Sequence, residues 1–305
     1  MPELPEVETI RLGLMGQIEG VKIVDVESHP CRVFQVERDC LNQVLLGAKI
    51  RGIDRLGKFL IFRLSEHNLV IHLGMTGQLT LRDPSRCDSP QFFRHPTTGL
   101  QRVRQHPPDQ HTHLQIHFED GRSLFYRDMR TFGKIYLLTH EEVRRDVFFS
   151  RVGMEPFSKE YSLAVFLGNC RGRKVRVKSL LLDQSFVAGV GNIYADEALF
   201  VSGIHPCRRV NRIRIFEREW LFQSVKKVLE KAIRFGGTTL RDYIDSDGRQ
   251  GTHQEELRVY GREGSPCLVC GAEIKKISIS NRGTHFCAVC QPRAGQKKSD
   301  RRICE

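Results

Sequence analysis

The sequence predicts an α+β fold in three parts: a β-sandwich led by a helix, a helical domain, and a small β-hairpin held by cysteines. Three observations carry this. Apolar residues alternate in short runs between Val21 and about Leu138, recur at helical spacing after about residue 150, and give way to two Cys-x-x-Cys pairs near the C-terminus. A chain of 305 residues has room for two domains and a small module.

The leading helix follows from Pro5, which suits a first helical turn, and from Val7, Ile10, Leu14 and Ile18 at helical spacing. Glu6 and Glu8 fall in its first turn, where the helix dipole favours acids. Strands follow. Phe59-Leu60-Ile61-Phe62, Leu69-Val70-Ile71 and the alternation of Leu114, Ile116 and Phe118 are the clearest, and Asp120-Gly121 marks a hairpin turn. Several strands at this spacing imply a sandwich or barrel over residues 1–140. Residues 82–110, rich in Pro, Arg, His, Gln and Ser, depart from the pattern and are expected to form a long exposed loop insertion.

The helical domain is expected over 150–260. Leu221, Val225, Val228, Leu229 and Ala232 make one apolar stripe, stopped by Gly236-Gly237. Upstream, Val177, Leu180 and Leu181 lead into a glycine-bearing turn at Gly189-Val190-Gly191, behind which a second helix can start with Asn192 as its cap. Such a pair serves either as a structural corner or as a dock for a DNA backbone, with the amides near Gly189 and Gly191 suited to a phosphate.

In the C-terminal module, 261–291, Cys267-x-x-Cys270 is followed by 16 residues and then Cys287-x-x-Cys290. Two such knuckles close a tetrahedron of thiolates with no open position, which points to one structural Zn²⁺; a single iron in a similar cage is the rival. Between them Arg282 falls where a hairpin turn is expected, a rigid place from which a guanidinium can grip phosphate. The other six cysteines (Cys31, Cys40, Cys87, Cys170, Cys207, Cys304) show no pairing pattern and are expected to be free thiols in a reducing cytoplasm. A basic tail, 292–305, ends the chain.

The formal charge of +12 favours a polyanionic partner. No run of about 18 apolar residues indicates a membrane span, and the N-terminus has no signal-peptide pattern.

The chain opens Met1-Pro2-Glu3. Once Met1 is removed, Pro2 is a free secondary amine with a pKa near ~8, partly unprotonated at neutral pH. Attack on an aldehyde-like carbon gives an iminium, and Glu3 next door can move protons. With Met1 retained, Pro2 is a tertiary amide and inert.

These features stand among longer motifs: Pro2-Glu3-Leu4-Pro5-Glu6-Val7-Glu8-Thr9, His72-Leu73-Gly74-Met75-Thr76-Gly77, Asp128-Met129-Arg130-Thr131-Phe132-Gly133, Gly189-Val190-Gly191-Asn192-Ile193-Tyr194-Ala195, and Val259-Tyr260-Gly261-Arg262 before the cysteines. In this order, and over nearly the whole chain, they resemble the formamidopyrimidine-DNA glycosylase family, within the wider group that includes endonuclease VIII.

The resemblance implies a monomeric bacterial repair enzyme, a glycosylase and AP lyase of the cytoplasm and nucleoid. It would excise oxidised purines from damaged double-stranded DNA, with one structural zinc, no nucleotide cofactor and no membrane. It implies an N-terminal catalytic β-sandwich, a helix-two-turn-helix DNA-binding domain and a zinc-finger hairpin. Pro2 would attack the sugar's anomeric carbon, Glu3 would assist ring opening, and Glu6 would position groups around the nucleophile. Lys58 would sit at the lesion phosphate during elimination. Arg282 would bind phosphate and take part in the second elimination. Met75, Arg130 and Phe132 would fill the space left by the extruded base. His111, Lys174 and Asn192 would hold the backbone, and Thr238 to His253 would be the loop that closes on the base.

Two departures from the family pattern stand out. The 82–110 insertion is long, and Gly251-Thr252-His253-Gln254 replaces a more aromatic sequence, which blurs base preference. The rivals are an endonuclease VIII-like enzyme for oxidised pyrimidines and a non-catalytic zinc-finger DNA-binding protein. Leu4, Met75 and Phe132 favour the purine branch.

Overall fold

A computed structural model describes residues 1–85, 92–94, 101–103, 107–145, 147–240 and 242–293. The chain forms two compact units, one of residues 1–150 with 235–254 and one of the remainder.

The first unit begins with helix α1 (Leu4–Leu14), with Pro5 in its first turn as the sequence predicts. Two antiparallel four-stranded sheets follow. One has the order β1 (Ile23–Ser28), β8 (Thr112–Phe118), β9 (Ser123–Asp128), β5 (Gly77–Arg82). The other runs β10 (Lys134–Thr139), β4 (His67–His72), β3 (Phe59–Arg63), β2 (Gly52–Leu56). Helix α2 (Arg38–Leu45) lies between β1 and β2 in the chain.

Both sheets and α1 contribute to one core: Val7, Ile10 and Leu14 join Leu60, Phe62 and Ile71 from one sheet and Leu79, Leu114, Ile116 and Leu124 from the other. Helix α1 stops at Leu14, but Ile18 still enters this core. The Glu8 carboxylate accepts from Arg55 Nε (2.7 Å), and Arg55 also reaches the Gly57 carbonyl (3.0 Å). The β2–β3 turn that carries Lys58 is thereby tied to α1. Asp120-Gly121 does form the β8–β9 turn, with Gly121 at φ +86°.

The 82–110 segment is less irregular than its composition suggests. Residues 92–94 and 101–103 form short strands β6 and β7, paired antiparallel with Phe92 opposite Val103. Phe92, Phe93 and Val103 are strand-forming residues, but three at a time they are too few to give a readable period. The rest of the insertion between Arg82 and Pro107 lies largely outside the described residues, as does the basic tail beyond Arg293.

Helices α3 (His140–Arg145) and α4 (Val147–Ser150) close the first unit. The second unit holds α5 (Leu163–Cys170), α6 (Val177–Leu182), α7 (Asn192–Val201) and α8 (Ile215–Arg234), then hairpin strands β11 (Ile274–Ile279) and β12 (Arg282–Cys287). The α8 stripe is buried as expected, through Leu221, Val225, Val228, Leu229 and Ala232. Among the described residues no helix is long and apolar enough to cross a membrane.

Candidate active site and nucleic-acid interface

Pro2 is buried immediately ahead of α1, with Met1 half exposed beyond it. Two carboxyls, Glu3 and Glu6, are almost fully buried beside it. Such groups need donors, and Glu6 has two from the backbone: Glu3 N–H to Oε2 (2.7 Å) and Thr238 N–H to Oε1 (2.8 Å). One side chain thus fixes the N-terminus and docks segment 235–254 against it.

Gly237 makes the approach possible. Its φ is +82°, and a Cβ there would lie 3.0 Å from Glu6 Oε1. The segment is further pinned by the Tyr243 hydroxyl on the Glu6 carbonyl (3.3 Å) and by the Gly251 N–H on Thr239 Oγ1 (3.0 Å). His253 is buried there, with Nδ1 3.0 Å from Thr238 Oγ1.

Lys58, in the turn just ahead of β3, is buried. His72, opposite Phe59 on β4, accepts from the Gly74 N–H at Nδ1 (3.2 Å), so its neutral ring carries the proton on Nε2. Burial first, and then the Lys58 charge, push His72 down from 6.5 to about 4. The unfolded chain therefore binds this proton first as pH falls. His72's stabilising share is complete above pH 6.5 and is lost between 6.5 and about 4. The maximum slope is about 1.4 kcal/mol per pH unit. Urea unfolding of His72→Gln should show that part of the pH slope gone, while His205, also lowered to about 4, keeps its own.

Met75 and Phe132 are large apolar side chains left 39% and 44% exposed on adjoining loops. Gly74 lets these loops touch: a Cβ there would fall 2.6 Å from the Phe132 carbonyl carbon and the Gly133 nitrogen. Beneath them, fully buried Asp128 accepts from Thr76 Oγ1 (2.5 Å), the Arg130 N–H (3.3 Å) and the Gly133 N–H (2.8 Å). Thr131 is held at φ +54°, a strained value for a β-branched residue. The result is a stiff tip with Arg130 Cζ 4.6 Å and Arg32 Cζ 5.4 Å from the Phe132 ring centroid. His111 joins the same region through its carbonyl, which accepts from the Asp128 N–H (2.9 Å).

In the second unit the helix pair and hairpin share a buried ionic network. Lys178 on α6, with no exposed surface, donates to Asp196 Oδ1 (2.7 Å), the Gly283 carbonyl (3.0 Å) and Thr284 Oγ1 (2.9 Å). Asp196 Oδ2 accepts from the His285 N–H (2.8 Å). Replacing Lys178 by Met should cost about 3–5 kcal/mol in unfolding free energy, because Asp196 is left buried without its counter-charge. Adding Asp196→Asn should recover part of it.

Asn192 differs from its expected part: Gly191 is the cap, and Asn192 is the first helical residue. Its Nδ2 donates instead to the Gly283 carbonyl (3.0 Å). The hairpin turn is Ser280-Asn281, both at positive φ, and exposed Arg282 opens β12 directly after it. Asn192 and Arg282 are therefore brought together on one rigid frame, with Lys174 exposed just ahead of α6.

Below the hairpin, the Sγ atoms of Cys267, Cys270, Cys287 and Cys290 all lie within 4.8 Å of one another. Cys270–Cys287 measures 3.5 Å and Cys267–Cys290 3.9 Å. Tetrahedral zinc at ~2.3 Å from each sulfur requires separations of about 3.8 Å, so the four fit one Zn²⁺. With all positions taken by thiolate, the ion has a structural part only.

Known families match the chain along most of its length. The family model of the formamidopyrimidine-DNA glycosylase N-terminal domain matches residues 1–135, that of its H2TH domain 152–244, and that of the zinc finger found in FPG and IleRS 264–293. A formamidopyrimidine-DNA glycosylase of Heliobacterium modesticaldum is 41% identical over 293 residues, covering 95% of this chain and 100% of the relative.

The chain belongs to the formamidopyrimidine-DNA glycosylase family.

Among solved structures, a Lactococcus lactis FPG mutant in complex with Fapy-dG-containing DNA superposes with a TM-score of 0.83 at 37% identity, covering 95% of this chain and 100% of that one. The Lactococcus lactis enzyme bound non-covalently to AP-site DNA gives 0.81 at 36%, covering 95% and 99%.

Within this family frame, the sequence did not point to several organising residues. They are His72, Asp128, the Lys178–Asp196 pair, and Glu197, whose buried carboxylate accepts from the N–H groups of Arg258 (2.9 Å), Val259 (2.9 Å) and Tyr260 (2.8 Å). For two of them a signal existed. Asp196-Glu197 interrupts an otherwise apolar helix, where acids must find internal partners.

Proposed function

We propose that the chain is a DNA glycosylase and AP lyase that removes oxidised purines, 8-oxoguanine and formamidopyrimidines, from duplex DNA. The observation that supports it most is Pro2, buried just ahead of α1 and followed by the buried carboxyls of Glu3 and Glu6, in a chain whose relatives include one seen with Fapy-dG DNA.

The Pro2 nitrogen attacks C1′ of the damaged nucleotide, the N–C1′ bond forms, and the base leaves with the glycosidic electron pair and takes up a proton. Glu3 protonates O4′ as the ring opens, which gives a cationic iminium. The iminium acidifies the C2′ proton. Its loss expels the 3′ phosphate by β-elimination, and a second elimination expels the 5′ phosphate. Lys58 and Arg282 offer positive charge to the phosphates as they depart. Glu6 keeps the Pro2 segment in place.

Extrusion of the base needs a filler, supplied by Met75 with Phe132, while Arg130 faces the unpaired base. His111, Lys174 and Asn192 hold the backbone. Zinc held by the four cysteines maintains the hairpin that carries Arg282. Such an enzyme works as a monomer on the bacterial nucleoid in the cytoplasm.

Borohydride trapping on duplexes carrying 8-oxoguanine or thymine glycol tests the reading. A covalent adduct forming faster on 8-oxoguanine is expected. Faster trapping on thymine glycol assigns the chain to oxidised pyrimidines, and no adduct on either leaves a DNA-binding protein without catalysis.

A further inference from the structure

The second unit carries a cleft of about 810 Å³ that the chemistry above does not use, lined by Arg176, Cys207, Arg208, Arg209, Arg212 and Arg293. Among the described residues, five of the six that line it are arginines and none is acidic. Arg208 is neutralised: it forks onto the buried Glu217 carboxylate, with Nη2 2.8 Å from Oε2. Among the described residues the guanidinium groups of Arg176, Arg209, Arg212 and Arg293 have no carboxylate within ion-pair distance.

The backbone forces two of these charges together. Residues 173–177 run antiparallel to 208–211, through Val177 N–H to the Arg208 carbonyl (2.8 Å), Val210 N–H to Val175 (3.0 Å) and Asn211 N–H to Arg173 (3.0 Å). This register sets Arg176 directly opposite Arg209. Like charges opposite one another across a strand pair are destabilising unless an anion lies between them. The positive field is felt at His205, which burial, Arg293 and Arg208 hold neutral down to about pH 4.

We propose that this cleft is a second backbone-binding subsite, which takes consecutive phosphates of duplex DNA beyond those at the lesion. The cleft begins two residues after Lys174, on the same backbone segment, so one strand of phosphates can pass from Lys174 to Arg176 and Arg209. Its volume suits a run of phosphates and sugars better than one small ion. The inference rests on the DNA-acting reading above but needs no chemistry at Pro2.

The test uses the full-length protein and an undamaged duplex, with affinity measured against salt. Removing one phosphate-binding cation lowers the slope of log K on log[salt] by about 0.9. Arg176→Gln/Arg209→Gln/Arg212→Gln, which leaves the Arg208–Glu217 pair intact, should lower it by roughly 2–3. Lys226→Gln/Lys227→Gln, exposed on α8 outside the cleft, should leave it unchanged. In parallel, duplex should slow alkylation of Cys207 several-fold, read by peptide mass mapping. An unchanged slope, an equal drop in the lysine variant, or Cys207 protected by inorganic tripolyphosphate but not by duplex would each overturn the proposal. Failure of the glycosylase reading shows separately, as absent borohydride trapping by a protein that retains the full salt slope.

Discussion

Pro2→Gly should reduce borohydride trapping on 8-oxoguanine duplex on the order of 10²-fold, the scale on which a misdirected reacting group loses rate. Glycine keeps an amine at the N-terminus, so the comparison isolates what the ring contributes. A secondary amine can condense only to an iminium, which is cationic at every pH and therefore always an electron sink. A primary amine gives a neutral imine that must first be protonated. The ring also locks rotation about the N–Cα bond, so the nitrogen lone pair is directed before substrate arrives, whereas the amine of a terminal glycine is free to rotate.

The substitution should leave folding almost untouched. The Glu6 carboxylate that organises the segment bonds to the backbone of Glu3 and Thr238, not to Pro2. Intact mass belongs in the same experiment, because protein that retains Met1 holds Pro2 as an amide and should not trap at all. Wild-type trapping in Pro2→Gly, together with its loss in Lys58→Met, would move the nucleophile to Lys58.

What could be read in the sequence was what is local. Helix α1, the Asp120-Gly121 turn, the α8 stripe and the paired cysteines each show within a window of twenty-odd residues, because period and turn chemistry act over that range. The reach of Glu6 is different. Its second partner, Thr238, is 232 residues away, and no spacing rule connects them. Lys178 looks like an ordinary surface charge in sequence, yet it forms with Asp196 an ion pair with no exposed surface on either side. Asn192 shows the error that local reasoning makes. Its type suited a helix cap, but the cap went to Gly191 because the side chain had a better partner in the Gly283 carbonyl, supplied by a hairpin 91 residues on.

Zinc removal should have the largest structural effect of all. Among the described residues, six buried ones form the cluster around the site (Phe200, Val259, Cys267, Ile274, Cys287 and Cys290), and half of them are ligands. A core this small cannot offset the entropy of ordering some thirty residues, whereas thiolate-bound zinc contributes on the order of 10–16 kcal/mol in modules of this kind. Chelation at neutral pH should therefore melt β11 and β12 and release one metal ion per chain. Hydrogen exchange gives the site-specific reading. Protection of the His285 amide, which donates to Asp196, should collapse, while that of Val70 and Ile71 in the β-sandwich core persists. With the hairpin gone, Lys178 loses Gly283 and Thr284, Asn192 loses Gly283, and Arg282 loses its frame, so affinity for lesion duplex should fall with the metal. Cys287→Ser should reproduce the loss, and Cys40→Ser, an exposed thiol on α2, should not. Full His285 protection in metal-free protein would mean that the polar network holds the hairpin without zinc, and the four cysteines would then need another explanation.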